Sequence, residues 1–432
     1  MKKIVASVGL AALGASSLQT ASAQELTAQG PKPWSVSGTL RGFYDDNINS
    51  TPDKVDSFGV EISPAVSFAL STEQTTLNLG YVYSAKWYDK EQAGADSHWD
   101  QQHIFNASLI HAFNEKDQLS VSDSFVIGQE PDVLRAGNTF STFQFVPGYN
   151  IRNYGAITMD GKVTRQLGYE VGYDNTFYKY ADDTQPDITT VPFFASTAGV
   201  LNRIEQGIHG EGRWEFNPET FGVLGFRYRQ IGYTANQVIA IDPVTAEQFV
   251  SDDRNVRMYA PYVGVIHTFT PELSGSANVG ANYADYYNDP TTSSSWSPYV
   301  NLSVKYNYGP ESYVSFGFSQ DRNATDVASV TVQNGQITQD QESSVVFATI
   351  NHRITPKVYG NVTGQFQNSV FNGGTVNNDA EQYYLVGLEL EYRFNPCFSA
   401  HAGYDFDKLV APSTLAQSFN RNRVYVGVTA SY

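Results

Sequence analysis

From Trp34 onward, polar and apolar residues alternate with a period of two. That is the signature of a strand with one apolar and one polar face. Val300, Leu302, Val304, Tyr306 and Tyr308 lie on one side of a stretch whose other side carries Asn301, Ser303, Lys305 and Asn307. Tyr384, Val386, Leu388, Leu390, Tyr392 and Phe394 alternate with Glu389, Glu391 and Arg393 in the same way. Ile204, Ile208, Trp214 and Phe216 oppose Arg203, Glu205, His209, Glu211, Arg213 and Glu215. A soluble β-sandwich alternates too, with its polar face outward, so the period alone leaves the direction of the faces open.

The breaks between these stretches come in two kinds. Six short ones resemble each other: Phe113-Asn114-Glu115-Lys116-Asp117, Phe216-Asn217-Pro218-Glu219, Phe269-Thr270-Pro271-Glu272, Tyr308-Gly309-Pro310-Glu311, Ile354-Thr355-Pro356-Lys357 and Phe394-Asn395-Pro396-Cys397. Proline suits the second position of a tight turn because its φ is already set. The aromatic residue before five of them suits a membrane–water boundary. Ser71-Thr72-Glu73-Gln74 and Thr164-Arg165-Gln166 add two short turns. The other breaks are long and polar, among them 89–98, 129–145, 181–201, 235–254, 288–294, 322–341, 372–379 and 410–420. Eight short turns on one side and nine loops on the other predict an all-β, antiparallel up-and-down barrel of about 18 strands spanning a membrane. The count falls to 16 if the stretch around Asp123 to Gly148 is not a strand pair. Short turns face the periplasm in such barrels and long loops face outside, so an even count puts both termini in the periplasm.

Composition agrees with this reading. Aromatic residues make up 14% of the chain and charged ones only 16%, against about a quarter in soluble proteins. There are 28 Tyr, 26 Phe and 35 Gly. Lys2 and Lys3, the apolar run Ile4 to Leu13 and the small residues Ala21-Ser22-Ala23 form a secretory signal, with cleavage expected after Ala23. Residues 24–33 are then a short periplasmic segment, and 34–432 the barrel. No later run of 18 apolar residues offers a helical span. Without Lys2 and Lys3 the charge is −19, which argues against nucleic acid as a partner. Cys397 is the lone cysteine, so no internal disulfide is expected.

The last strand is the most specific feature. Val424, Val426, Val428, Ala430 and the terminal Tyr432 share one face, and Val424, Val426, Val428 and Tyr432 resemble the assembly signal of bacterial outer-membrane proteins. With the signal peptide and the one-sided short turns, the chain resembles porin-like outer-membrane β-barrels of Gram-negative bacteria. Some of these accompany exopolysaccharide production systems. The resemblance covers the mature chain, rests on architecture and carries no substrate-defining motif. It implies an integral outer-membrane protein whose partners are lipid, lipopolysaccharide and the barrel-assembly machinery. A homo-oligomer is compatible with it, although no sequence feature specifies one.

The inward stripe is the candidate site. Arg203, Glu205, His209, Glu211, Arg213, Arg227 and Arg229 are expected to face the lumen from two neighbouring strands, with Glu170 and Asp174 from the strand before. Arg41, Glu61, Lys305, Glu389, Glu391, Arg393, His401 and Asp405 add to it. A watery lumen keeps such groups charged and lipid does not. Both signs are present, so weak ion selectivity is expected, and many of these groups are expected to be tied in ion pairs. Phe140, Phe143, Phe145, Phe193 and Phe194 in the loops suit a sugar-stacking slide, a constriction or loop packing, and Thr139 to Phe145 alternates as a short strand does.

No catalytic role is expected. No Gly-x-Ser-x-Gly elbow, His-Glu-x-x-His helix or phosphate loop is present. His111, beside Phe105, Leu109 and Phe113, reads as interfacial. No cofactor or dedicated metal site is expected, and Asp182-Asp183 and Asp252-Asp253 read as solvated loop charge. The function expected is passive diffusion of small hydrophilic solutes. The alternatives are a barrel component of exopolysaccharide export or anchoring, and a surface barrel plugged by its own loops.

Overall fold

The computed structural model describes residues 32–94, 97–129, 138–142, 146, 148–183, 195–289, 294–330, 335–415 and 417–432. The signal segment, the expected cleavage at Ala23 and most of 24–33 lie outside these residues, as do Phe143, Phe145, Phe193 and Phe194. The first nine strands are β1 (Trp34–Asp45), β2 (Ser57–Ser71), β3 (Thr75–Tyr88), β4 (Trp99–Ala112), β5 (Gln118–Gly128), β6 (Asn150–Lys162), β7 (Leu167–Lys179), β8 (Arg203–Asn217) and β9 (Thr220–Tyr233). A hairpin of β10 (Val238–Ile241) and β11 (Gln248–Val250) decorates the next loop. Nine more follow: β12 (Val256–Thr270), β13 (Leu273–Asp285), β14 (Ser294–Gly309), β15 (Ser312–Asn323), β16 (Asp340–Thr355), β17 (Val358–Asn372), β18 (Ala380–Asn395), β19 (Phe398–Val410) and β20 (Phe419–Ser431). A one-turn helix, α1 (Thr197–Leu201), lies in the loop before β8.

Apart from the β10–β11 hairpin, every strand pairs antiparallel with its neighbours in sequence, giving one 18-stranded sheet. The sheet closes where β1 meets β20, from Ser37↔Ser431 to Asp45↔Arg423. Closure leaves no edge with unpaired amides, which is the condition for carrying backbone through hydrocarbon. The pair β5–β6 runs in unbroken register from Gln118↔Asp160 to Gly128↔Asn150, so the count is 18 and not 16.

The faces point opposite to those of a soluble sandwich. Leu40, Ile62, Leu224 and Val426 are 52%, 52%, 70% and 62% exposed on the outside. Their polar neighbours, such as Glu61, Ser303, Asp405 and Thr429, are buried inward. Val424, Val428 and Tyr432 belong to the same exposed row on the closing strand. Aromatic residues ring both ends of this apolar band. At the turn end Phe113, Phe216, Phe269 and Phe394 are exposed. At the loop end Tyr228, Tyr259, Tyr283 and Trp296 pair across four adjacent strands, with successive ring centroids 5.3, 6.3 and 5.0 Å apart.

All eight expected short turns are present. Their sequence likeness has a local cause. In four of the five proline turns a side-chain oxygen just before the proline accepts from backbone N–H groups just after it; the fifth has Gly309 at that place. Thr270 Oγ1 accepts from the amides of Glu272 and Leu273, Thr355 Oγ1 from Lys357 and Val358, and Asn395 Oδ1 from Cys397. Proline fixes φ, the Asn or Thr oxygen fixes the reversal, and two residues then suffice to join the strands.

The loop boundaries differ from expectation in places. Arg322, Asn323, Asp340 and Gln341 are strand residues, because the β15–β16 ladder continues to Asn323↔Gln341. The described part of 139–145 is not a strand. It enters the barrel as an irregular segment.

Candidate channel interior

The expected pore-lining residues lie on the face opposite the exposed apolar rows, and the structure brings most of them together in ion pairs. On the wall of β7, β8 and β9, Arg213 binds both Glu170 and Glu211. Glu211 also accepts from the Tyr262 hydroxyl at 3.0 Å, and His209 lies 3.5 Å from Glu170. Arg203 and Glu205 pair at 2.8 Å, with the Arg203 guanidinium over the Tyr178 ring. Arg227 and Arg229 both reach Asp321, at 2.9 and 3.8 Å, spanning from β9 to β15 over the three strands between. On the opposite wall Arg41 pairs with Glu61 at 3.4 Å and stacks on Tyr425, whose hydroxyl donates to Glu389 at 3.4 Å. Glu391 holds Arg393 at 3.0 Å. Lys305 stands over the Tyr313 ring. Asp174 sits on the inner face of β7, with His401 and Asp405 on that of β19.

Arg41 and Glu61 are direct cross-strand neighbours, about 5 Å apart, whereas Arg203–Glu205, Glu211–Arg213 and Glu391–Arg393 stand two residues apart on the same face of one strand. Pairing spreads both signs around the wall and leaves no ring of one sign. The groups still meet water: Arg227 and His209 side chains are 27% and 24% exposed although they face away from lipid.

Above the charged belt, a segment from the β5–β6 loop crosses the barrel. Its base lies between strands five and six of the ring, and it is held by strands fourteen to sixteen, on the diametrically opposite side. Three inward glutamines clasp its backbone. Gln365 Nε2 donates to the Asn138 carbonyl at 2.8 Å. The Phe140 N–H donates to Gln367 Oε1 at 3.0 Å, and the Phe140 carbonyl accepts from Gln367 Nε2 at 2.8 Å and Gln341 Nε2 at 3.0 Å. The Phe140 ring is buried among Tyr383, Leu385, Leu409 and Phe419. Ser141 accepts from Arg203 Nη2 at 3.0 Å, tying the far side of the strap to β8. Phe140 is therefore packed inside the lumen and is not an exposed stacking surface.

Outside the strap, the loops pack on each other. Val146, Val200, Leu201, Ile239, Phe249 and Ile337, from four different loops, share one apolar cluster. Fully buried Arg254 donates to three loop carbonyls: Gln339 at 3.2 Å, Val200 at 3.3 Å and Thr325 at 2.8 Å.

Residues 244–432 match the family model described as "Putative beta-barrel porin 2". The chain is a porin-like outer-membrane barrel. No curated protein matches its sequence. Several solved barrels are similar to it at low identity. OpdK of Pseudomonas aeruginosa, crystallised with vanillate, is 12% identical, with 92% of this chain and 99% of that chain covered and a TM-score of 0.43. OccAB4 of Acinetobacter baumannii is 13% identical over 94% and 99%, with a TM-score of 0.41. The siderophore receptor PirA of Acinetobacter baumannii is 9% identical over 92% and 80%, with a TM-score of 0.43.

The porin-like barrel also uses residues that the sequence pattern did not single out. Asp321 is the partner of both Arg227 and Arg229, and its place on the inward face of β15 was legible from the alternation. Arg421–Asp407 and Arg423–Asp45 pair at 2.9 and 3.4 Å near the loop end. Phe140 was noted only as a loop aromatic, and Arg254 has no periodic signal at all. The acidic loop pairs act as turn caps: Asp182 Oδ2 accepts from Thr197 N, and Asp253 Oδ2 from Val250 N. Among the described residues no group of three His, Cys, Asp or Glu is placed to hold a metal ion. His111 faces outward near its turn and shares a hydrogen bond with Thr75, the interfacial position its neighbours suggested.

One loop carboxyl gives the cap a pH dependence. Burial pushes Asp326 up to about 6, against the pull of Arg254 and Arg203, while Thr142 next to the strap hydrogen-bonds to it. Its ordinary value is 3.8, so the packed form holds the proton more tightly than the loosened form does. The packed loops are then strongest below about pH 4 and weaken as pH rises to about 6. Conductance is expected to rise between pH 4.5 and 6.5 in the native protein and to rise markedly less over that range in Asp326→Asn. An equal slope in both would assign the change to other groups.

Proposed function

We propose that this barrel is a constricted channel for passive diffusion of small hydrophilic solutes. The observation that supports it is a polar, water-exposed inner face in a ring of 18 strands. Such a ring encloses more space than its side chains fill. The strap sets the narrow point of that path. The balanced ion pairs give weak charge preference, and the solutes favoured are small and polar. Proteoliposome swelling with sugars of graded size tests this: rates should fall steeply with solute size, and swelling no faster than in empty liposomes at every size would refute it. Replacing Arg213, Arg227 and Arg229 with glutamine leaves Glu170, Glu211 and Asp321 unbalanced. Reversal potential in a salt gradient should then move toward cation preference, and an unmoved potential would remove these residues from the ion path.

A second reading is favoured by one observation. The cap tied by Arg254 covers the loop end, as expected of a surface barrel closed by its own loops. Well-folded protein that neither conducts nor supports swelling would select that reading.

A further inference from the structure

We propose that the far wall beneath the loops is a binding site for extended peptides bearing an aromatic side chain, with the strap as its built-in competitor. The argument rests on what the wall recognises. Gln341 and Gln367 are fully buried and Gln365 is 5% exposed, yet all three direct their amides at the backbone of another segment. Gln367 meets the same residue twice, accepting its N–H and donating to its carbonyl, the pairing a neighbouring strand would make. Gln365 reads the carbonyl of Asn138, two residues earlier in the same segment. These contacts are blind to sequence. Discrimination comes from one apolar socket, lined by Tyr383, Leu385, Leu409 and Phe419, that takes the Phe140 ring. Main-chain hydrogen bonds for affinity with one side-chain pocket for choice is the division of labour by which proteins bind extended peptides.

The occupant is tethered, so it holds the site at high effective concentration. A free peptide gains entry when the tethered ring is removed. The proposal deepens the diffusion reading, since it names a solute class for the same lumen, and its test does not depend on conduction. The probe is the acetylated, amidated pentapeptide Asn-Thr-Phe-Ser-Thr, titrated calorimetrically into detergent-solubilised barrel. Phe140→Ala should bind it at least tenfold more tightly than the native protein. The same variant should bind the control Asn-Thr-Ala-Ser-Thr at least tenfold more weakly than the Phe peptide. Adding Gln367→Ala should reduce Phe-peptide binding at least tenfold. Equal affinity for the two peptides, or none for either in folded Phe140→Ala protein, would overturn the site. Should the double variant not fold, the two-peptide comparison in Phe140→Ala decides alone. A conducting barrel that ignores the peptide loses only this proposal, whereas a barrel that binds it without conducting loses the diffusion reading.

Discussion

Phe140→Ala combined with Gln367→Ala is expected to raise single-channel conductance at least about threefold, because the strap crosses the lumen where current must pass. The Phe140 ring leaves a closed apolar socket, and truncating a buried Phe costs about 3–5 kcal/mol. Losing Gln367 removes two hydrogen bonds to the strap backbone, each contributing about 1 kcal/mol. Gln341 and Gln365 still hold one carbonyl each, as does Arg203 the Ser141 hydroxyl, so part of the attachment remains. The loss still amounts to several kcal/mol, enough to turn a bound strap into one that is mostly released, since about 1.4 kcal/mol is tenfold in an equilibrium constant. The barrel does not suffer, because both side chains point into the lumen and the ladder from β16 to β18 uses only backbone. Larger sugars should also begin to pass in the swelling measurement. Native conductance and native size cut-off in this variant would mean that the strap does not set the narrow point.

Arg254→Ala carries the second large effect, on the cap. The guanidinium is fully buried, binds one carbonyl of the β7–β8 loop and two of the β15–β16 loop, and stacks on Tyr233. Removing it strands three buried acceptors, and breaking a buried charged cluster of this kind costs about 3–5 kcal/mol. The loss falls on the loops alone, because the strands keep every ladder bond. Amide exchange in 324–330 and 335–339 should quicken by about two orders of magnitude at a loss of about 3 kcal/mol, while the barrel melts as before. Arg254→Lys should fall between, since an ammonium keeps the charge and loses the planar fork that reaches three carbonyls at once. Native exchange in both variants would show that the apolar cluster of Val200, Ile239, Phe249 and Ile337 holds the cap unaided.

The two regions differ in how far sequence alone reveals them. The barrel wall was legible because lipid and water impose opposite demands on alternate residues. Leu388 and Glu389 announce their faces without knowledge of any partner. The turns were legible because Asn395-Pro396 and Thr270-Pro271 carry their own geometry. Arg213, Glu170 and Glu211 could be placed on one inner face by the same parity, although which carboxylate meets which arginine required the register. The strap and the cap were not legible. Phe140 and Gln367 stand 227 residues apart, and their meeting depends on which strands oppose each other across the ring. Arg254 lies in a loop with no period, so its three carbonyl partners leave no trace in the pattern around it. The boundary errors have the same origin: Arg322 and Asp340 look like loop residues because they are polar on the outward parity, yet the packed loops bury them as an ion pair at 3.1 Å.

Current through a planar bilayer holding purified, heat-unfoldable barrel tests the central claim most directly. Discrete, ohmic conductance steps that vanish when the protein is unfolded before insertion are the predicted result. Electrically silent bilayers with the same folded protein demonstrably inserted would contradict an aqueous path through the ring.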